Sequence, residues 1–173
     1  MNKINQLRNI LNQENCDAYL IPKNDEYFGE HVPENKDRLK FISGFTGSTG
    51  LALILKNKSY LFVDGRYTLQ AKKEIYKDFK ICEIPKIKPY YILKNLNKEI
   101  TLGFDPKLFT SNTLKNIISN SLIKIKPINN NLIDTIWKNK TKVNNNKFYI
   151  LEKKYHGESF VNKISKVSKF LKF

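Results

Sequence analysis

Two uninterrupted apolar runs, separated by three polar residues, constrain the fold of this chain more than any other feature. The runs are residues 51–55 (LALIL) and 59–63 (SYLFV), and Lys56, Asn57 and Lys58 lie between them. Short apolar runs that flank a short polar turn are typical of a β-hairpin. Because consecutive residues of both runs are apolar, we expect both faces of this antiparallel pair to be buried.

Helical and strand patterns alternate on both sides of the hairpin. Before it, the spacing predicts an amphipathic helix at 3–14, a strand at 17–22 and a short helix within 35–43. After it, a helix is predicted over 65–76, where Gly65 marks the turn. The later predictions are strands at 79–84 and 100–105, a helix after Pro89, and a helix marked by Leu114, Ile117, Ile118 and Leu122. A strand at 122–128 alternates apolar residues with Lys, which predicts a position at a sheet edge or on a half-solvated face. The alternation of helices and strands predicts an α/β fold, with a mixed β-sheet flanked by helices.

The sequence after Trp137 predicts a division of the chain into two parts. Residues 138–147 (KNKTKVNNNK) are polar and predict a linker. Beyond them an apolar stripe at helical spacing, formed by Phe160, Ile164, Val167 and Leu171, ends near Phe173 without a partner element. We therefore expect one domain over residues 1–140, and a linker with the start of a truncated second domain over residues 141–173.

The positive charge of the chain raises nucleic acid as a partner. The formal net charge is +15, yet residues 1–50 carry a net −1 and the surplus is spread over the remainder. Most of the surplus is Lys that accompanies heavy use of Asn and Ile, which favours solvated lysines from an AT-rich coding sequence over a phosphate-binding patch. A basic nucleic-acid-binding α/β module remains the alternative function, and it predicts binding that weakens steeply with salt.

The compartment is predicted from the amino terminus, the apolar runs and the cysteines. The first 22 residues lack the continuous apolar segment of a secretory signal, and no apolar run approaches the roughly 20 residues of a membrane span. Cys16 and Cys82 are isolated and fit neither a disulfide framework nor a metal knuckle. We expect a cytoplasmic protein without membrane association, with reduced and buried thiols.

Three glycines at a spacing of three, in residues 41–50 (FISGFTGSTG), suggest a phosphate-binding loop. Gly44, Gly47 and Gly50 match neither G-x-x-x-x-G-K-[ST] nor G-x-G-x-x-G, and the loop leads into an apolar strand and not into a helix. The pattern therefore favours an architectural role, in which the glycines allow positive φ and close backbone approach.

Catalytic and metal-binding patterns are weak in this sequence. His31 and His156 are far apart, and the acidic set Asp25, Glu26, Glu30, Glu34 and Asp37 is more typical of a solvated face than of a cation site. We predict no metal ligand and no catalytic residue.

The best-placed polar cluster follows the second hairpin strand. It contains Asp64, Gly65, Arg66 and Tyr67. A local role is favoured, with Asp64 capping the helix that follows and Arg66 paired with a carboxylate. Since α/β sheets place ligand-facing groups at strand ends, Arg66 and Tyr67 are also the first candidates for substrate contact.

These motifs together resemble a known family. The run from Arg38 through FISGFTGSTGLALIL to LFVDGRYTLQAKKEI is similar to the amino-terminal domain of Xaa-Pro aminopeptidases (aminopeptidase P), in the creatinase and prolidase superfamily. Further matches follow in the same order, namely Gly103-Phe104-Asp105-Pro106, NLIDTIWKNK with Trp137, and YHGESFVNKI. The sequence departs from the family pattern at Thr49, where Ala is frequent, and at Lys140-Thr141, where Arg-Pro is usual.

The resemblance implies a noncatalytic domain with an RNase H-like topology. Family members release the amino-terminal residue that precedes proline, with paired metal ions, usually manganese, held in a carboxyl-terminal domain. The implied roles here are to support dimerisation and to shape the active-site entrance through Arg66 and Tyr67. The implied partners are the second and catalytic domains and a second copy, and no cofactor is expected in this chain. The residues that carry the motif are Gly44, Gly47, Gly50, Asp64, Gly65, Asp105, Pro106 and Trp137.

Overall fold

The computed structural model describes residues 2–118, 122–141 and 147–171 of the chain. The chain divides into two compact units, Met1–Lys142 and Val143–Phe173. The strands of the first unit are β1 (Ala18–Pro22), β2 (Leu51–Leu55), β3 (Ser59–Asp64), β4 (Phe79–Ile84), β5 (Ile100–Phe104) and β6 (Ile123–Pro127). Its helices are α1 (Lys3–Gln13), α2 (Arg38–Ser43), α3 (Thr68–Glu74), α4 (Pro89–Lys94), α5 (Ser111–Ile117) and α6 (Leu132–Ile136).

The six strands form one mixed sheet in the order β4-β3-β2-β1-β5-β6. Strands β1 and β3 each pair antiparallel with β2, whereas β1 with β5, β5 with β6, and β3 with β4 pair in parallel. The direction of β2 is therefore opposite to that of the other five strands. The predicted hairpin is confirmed, with Leu51 opposite Phe62 and Ile54 opposite Ser59.

Both faces of the hairpin strands β2 and β3 are buried, which explains the uninterrupted apolar runs. In β2, Ala52 and Ile54 belong to one apolar cluster, whereas Leu53 and Leu55 belong to the other. Helices α1, α2 and α6 contribute buried side chains to the first cluster, and α4 and α5 contribute to the second. The predicted α/β class, with a mixed sheet between helices, is confirmed.

Most predicted elements are present, with two differences. Strand β6 is at the edge of the sheet, which is one of the two positions that its alternation with Lys predicts. The helix marked by Leu114 ends at Ile117, and Leu122 lies in the turn before β6, so its assignment to that helix is wrong. Helix α6 was not assigned from periodicity, because it is only five residues long and is defined by the cap that Asn131 provides to the N–H of Ile133.

Two further features of the described residues are the state of the cysteines and the length of the helices. Cys16 and Cys82 are free and buried, as predicted, and burial raises the pKa of both thiols. None of the helices in the described ranges is both long and apolar enough to cross a bilayer.

The second unit contains α7 (Lys153–His156) and α8 (Phe160–Leu171). Helix α8 confirms the helix predicted from the stripe that begins at Phe160. All its described apolar side chains are exposed. Part of the predicted linker, residues 142–146, lies outside the described residues.

Candidate functional site

The polar motifs of the first unit lie together at the end of the sheet where most of its strands terminate. Because five strands run in the same direction, their carboxyl ends share this end, which we call the carboxyl edge. Residues 23–29 follow β1 there, Asp64 ends β3, and Asp105 follows β5. The glycine loop, residues 44–50, reaches the same edge because it leads into the antiparallel strand β2. Ligand-facing groups of α/β sheets typically lie at this position.

The glycine loop is wrapped around the fully buried ring of Phe45. Gly44 ends α2 with φ of 82°, and a Cβ there would lie 2.7 Å from the carbonyl oxygen of Glu74. At Gly47 a Cβ would lie 2.2 Å from the Phe45 ring, and at Gly50 it would lie 3.0 Å from Leu39. One glycine thus supplies a left-handed backbone and the other two supply space.

Helix α3 holds this loop from one side. The Glu74 carboxylate accepts hydrogen bonds from the backbone N–H and the hydroxyl of Thr46, both at 2.8 Å. Gln70 donates to the same Thr46 hydroxyl and to Glu74. Burial alone would raise the pKa of Glu74, but these donors lower it below its usual value. These hydrogen bonds therefore fix the glycine loop at the carboxyl edge.

The turn after β3 presents Arg66 in a fixed geometry. The Asp64 carboxylate accepts from the backbone N–H of Arg66 at 2.9 Å, from Nε at 3.1 Å and from Nη2 at 2.7 Å. These bonds lower the pKa of Asp64 and raise that of Arg66. The Arg66 side chain is nonetheless 74% exposed. Its guanidinium is held by a fork of hydrogen bonds while most of its surface faces solvent.

Tyr67 joins this turn to the glycine loop. Its hydroxyl lies 2.6 Å from the Ser48 hydroxyl, and its half-buried ring packs edge-on against Phe45 with 5.9 Å between centroids. The Arg66 guanidinium carbon lies 5.4 Å from the centre of the Tyr67 ring, which is cation–π range. Leu69, one turn further on, is 73% exposed. The structure thus places the exposed guanidinium of Arg66 beside the half-buried ring of Tyr67.

Asp105 and Trp137 are fixed by contacts within the domain. Asp105 is buried and accepts from the N–H of Lys107 at 3.0 Å and from the side-chain amide of Asn131 at 2.8 Å. Pro106 opens the short 3-10 turn that follows. Trp137 stacks on Phe41 with 4.6 Å between ring centroids. These contacts hold α6 against the body of the domain.

An arginine that the sequence analysis did not select is the centre of a charge network at this edge. Arg38 is 3% exposed and donates through Nε and Nη2 to Asp134, at 3.0 and 2.8 Å, and through Nη2 to Glu26, at 2.8 Å. Lys140 also contacts Asp134, and Lys36 contacts Glu26. Burial alone would raise the pKa of Glu26, but its cationic partners lower it to about 2.

The prediction of a solvated acidic face at residues 25–37 holds for Glu30 and Glu34, which are exposed, and is wrong for Asp25 and Asp37. Asp25 and Asp37 are buried, with 4% and 6% exposure. Asp25 accepts from the N–H groups of Tyr27 and Gly29, and Asp37 pairs with the buried Lys23. The sequence contains a signal that Arg38 is surrounded by carboxylates. Helix α2 begins at Arg38, and the helix dipole disfavours a cation at the amino terminus unless carboxylates surround it.

Metal ligands are not brought together at this edge. Within residues 2–118, 122–141 and 147–171, no group of three or more His, Cys, Asp or Glu side chains could hold a metal ion. His31 is exposed, and His156 lies in the second unit, where its ring nitrogen contacts the Glu158 carbonyl. The described residues therefore supply a shaped and charged surface, without a metal centre.

Comparison with known proteins gives the same assignment as the motifs. The model of the creatinase/prolidase N-terminal domain matches residues 3–135. The chain belongs to this family. The expected resemblance to the amino-terminal domain of Xaa-Pro aminopeptidases is confirmed, since a probable Xaa-Pro aminopeptidase P of Coprinopsis cinerea is 32% identical over 93% of the chain. Xaa-Pro aminopeptidase 1 of Dictyostelium discoideum is 30% identical over 98%.

Solved structures confirm the fold. The X-prolyl aminopeptidase of Caenorhabditis elegans, described as a cytosolic enzyme with a di-nuclear active site, superposes on 98% of the chain with a TM-score of 0.87 and 25% identity. The N-terminal domain of the cytoplasmic peptidase PepQ of Mycobacterium tuberculosis superposes on 78% with a TM-score of 0.59. The chain spans 27% and 30% of the lengths of the Coprinopsis and Dictyostelium relatives, and 30% of the Caenorhabditis chain.

Proposed function

We propose that this domain is a noncatalytic part of an Xaa-Pro aminopeptidase-like metallopeptidase, which releases the amino-terminal residue that precedes proline. Its role is to shape the active-site entrance, with Arg66 and Tyr67 at the surface that substrate passes. The basic nucleic-acid-binding alternative gains no support from the relatives described above, which are Xaa-Pro peptidases.

The observation that carries the proposal is the exposed Arg66 held by Asp64. A guanidinium fixed by a fork of hydrogen bonds loses little conformational entropy when it binds a carboxylate or a peptide carbonyl. Its exposed face is free for such a contact, and the adjacent Tyr67 ring offers a flat apolar surface to a peptide side chain. Peptides carry both kinds of group, which matches the substrate class of the relatives.

The metal ions of such a metallopeptidase belong, in this proposal, to a separate catalytic domain. The Caenorhabditis relative is described as having a di-nuclear active site. The described part of this chain contains no cluster of ligands that fits such a pair of ions. We therefore derive no hydrolytic step from these residues, and we propose manganese for the catalytic domain on the family resemblance alone.

The test of this division of labour uses the purified chain. With added Mn²⁺, an Xaa-Pro peptide is incubated with the chain, and release of the amino-terminal residue is followed by chromatography. We expect no release above the metal-only control, because no residue set on the described chain can activate water on a metal. Metal-dependent release that increases with chain concentration would contradict the proposal.

Dimerisation and a cytosolic location complete the proposal. The first rests on the family resemblance, and the second on the description of the Caenorhabditis relative as cytosolic. Sedimentation velocity over a hundredfold range of protein concentration tests the first. A sedimentation coefficient that stays at the monomer value throughout would remove dimerisation through this domain.

A further inference from the structure

A cavity at the opposite end of the sheet has no part in the proposed entrance. It has a volume of about 350 Å³ and lies where the hairpin turn at residues 56–58, the end of α4 and the first residues of β1 and β5 meet. Because β1 and β5 begin here, the cavity is at the amino ends of the parallel strands, and Arg66 is at their carboxyl ends. The volume is within the usual range for small-ligand sites.

The floor of the cavity is apolar. It is formed by the buried side chains of Leu55 and Ile100 and by the half-buried side chains of Ile92 and Leu96. These residues come from β2, β5 and the α4 region, so the floor is part of the second apolar cluster of the fold. A ligand that covers this floor must present an apolar body.

The rim of the cavity carries an excess of positive charge. Lys56, Lys58 and Lys98 line it together with a single carboxylate, that of Asp17. Asp17 is already occupied, since it accepts from the Thr101 N–H at 2.9 Å and pairs with Lys56 at 3.0 Å. Among the described residues, Lys58 and Lys98 form no ion pair. Two ammonium groups therefore remain for an anion.

A buried phenol adds a directional contact. Tyr60 lines the cavity, is 8% exposed, and its hydroxyl has no hydrogen-bond partner among the described residues. The same side chain also borders an adjoining cavity of about 300 Å³. The hydroxyl oxygen itself is not among the buried atoms that lack a partner, so it reaches solvent and can donate to a ligand oxygen.

We propose that this cavity binds a small amphipathic carboxylate. The apolar body of the ligand, aromatic or branched, covers Leu55, Ile92 and Ile100. Its carboxylate lies between Lys58 and Lys98 and accepts a hydrogen bond from the Tyr60 hydroxyl. Such a group occurs in free carboxylic acids and at the carboxyl terminus of a peptide that ends in an apolar residue, and the experiment separates the two sources.

The experiment titrates the full chain with 3-phenylpropionate and follows backbone amide shifts by NMR. We expect a Kd of about 0.1 to 1 mM, which is usual for a ligand of this size. The shifts are expected at residues 55–60 and 92–100. The matched neutral ligand, 3-phenylpropionamide, is expected to bind about tenfold more weakly. A tetrapeptide that ends in phenylalanine, as the free acid and as the amide, forms the second arm.

Three variants locate the site without disturbing the fold. Lys58→Gln combined with Lys98→Gln is expected to weaken binding about tenfold, and Tyr60→Phe about fivefold. Lys72→Gln combined with Lys73→Gln removes the same charge from the exposed face of α3 and is expected to leave the Kd unchanged.

Each result decides the proposal. Binding of the free acid alone assigns the site to small metabolites, and stronger binding of the peptide acid assigns it to peptide termini. Both results support a site for an amphipathic carboxylate. Equal affinity for acid and amide, shifts that cluster elsewhere, an unaltered Kd in the Lys58/Lys98 variant, or no binding at 10 mM (~100-fold above the tighter expected Kd) would overturn it.

Discussion

Replacing the buried Arg38 by methionine tests whether its charge network holds the carboxyl edge together. The substitution keeps an apolar stem but removes two hydrogen bonds to Asp134 and one to Glu26. Removal of one partner from a buried ion pair costs about 3 to 5 kcal/mol. The side chains of Asp134 and Glu26 are 32% and 23% exposed and each keeps a lysine, so we expect the lower end, about 3 kcal/mol.

The assay is urea unfolding followed by the fluorescence of Trp137, the only tryptophan of the chain. Trp137 follows α6, which also carries Asp134, so it reports on the unit that the network stabilises. With a urea dependence of about 2 kcal/mol per M for a domain of this size, the midpoint is expected to fall by about 1.5 M. Arg38→Lys keeps the charge without the fork and is expected to lose about half as much.

The chain offers a matched control. Arg66 makes the same fork with a carboxylate, Asp64, but its side chain is 74% exposed. Arg66→Met is expected to leave the urea midpoint unchanged within error, since exposed ion pairs contribute little to stability. If Arg38→Met also costs less than about 1 kcal/mol, the network does not stabilise this edge and the reasoning fails.

Two further predictions concern the glycine loop and pH. Gly47→Ala is expected to destabilise the domain by about 1–3 kcal/mol, because its Cβ would overlap the buried Phe45 ring, whereas at Gly65 the nearest atom to a Cβ is 3.8 Å away, so Gly65→Ala should be neutral in the same urea assay. For Glu26, the folded pKa of about 2 is below its unfolded value, so its stabilisation is full above about pH 4.5 and is lost as the pH falls toward 2. Glu26→Gln should lose less stability than the unsubstituted protein between pH 6 and pH 3, as measured by urea titration at each pH. An equal loss of stability in both proteins would contradict the prediction.

The fold was predictable where sequence neighbours decide the structure. Residues 51–63 predicted a doubly buried hairpin because each run is apolar at consecutive positions, and that pattern has few other solutions. The alternation of Ile and Lys at 122–128 predicted a strand at a sheet edge or on a half-solvated face for the same local reason, and the strand is at the edge. The end of α5 was placed too late because Leu122 continues the helical spacing although the helix has already ended.

The charge network and the cavity at the amino ends of the strands were not predictable in the same way. Arg38 and Asp134 are 96 residues apart in sequence, so neither indicates the other until the sheet order is known. Asp37 was predicted to be solvated because its buried partner, Lys23, lies in a separate segment directly after β1. The cavity beside Tyr60 depends on segments that only the fold brings together. Local patterns predict elements well, whereas pairings between distant polar groups require the topology.

The most direct test of the proposed entrance role is a kinetic comparison in a chimaera. Residues 1–142 of this chain replace the matched part of the Caenorhabditis X-prolyl aminopeptidase, whose fold agrees with this chain at a TM-score of 0.87. Arg66→Ala is compared with Lys124→Ala on the edge strand β6, which removes a similarly exposed cation that is paired with Glu99. Hydrolysis of an Xaa-Pro peptide is measured over a range of substrate concentrations.

We expect Arg66→Ala to raise KM by roughly fivefold to tenfold and to leave kcat within about twofold of the unsubstituted chimaera, because an entrance contact is made equally in the ground and transition states. Lys124→Ala is expected to change neither constant. Equal KM values in the Arg66→Ala, Lys124→Ala and unsubstituted chimaeras would contradict the proposal that this domain shapes the active-site entrance through Arg66.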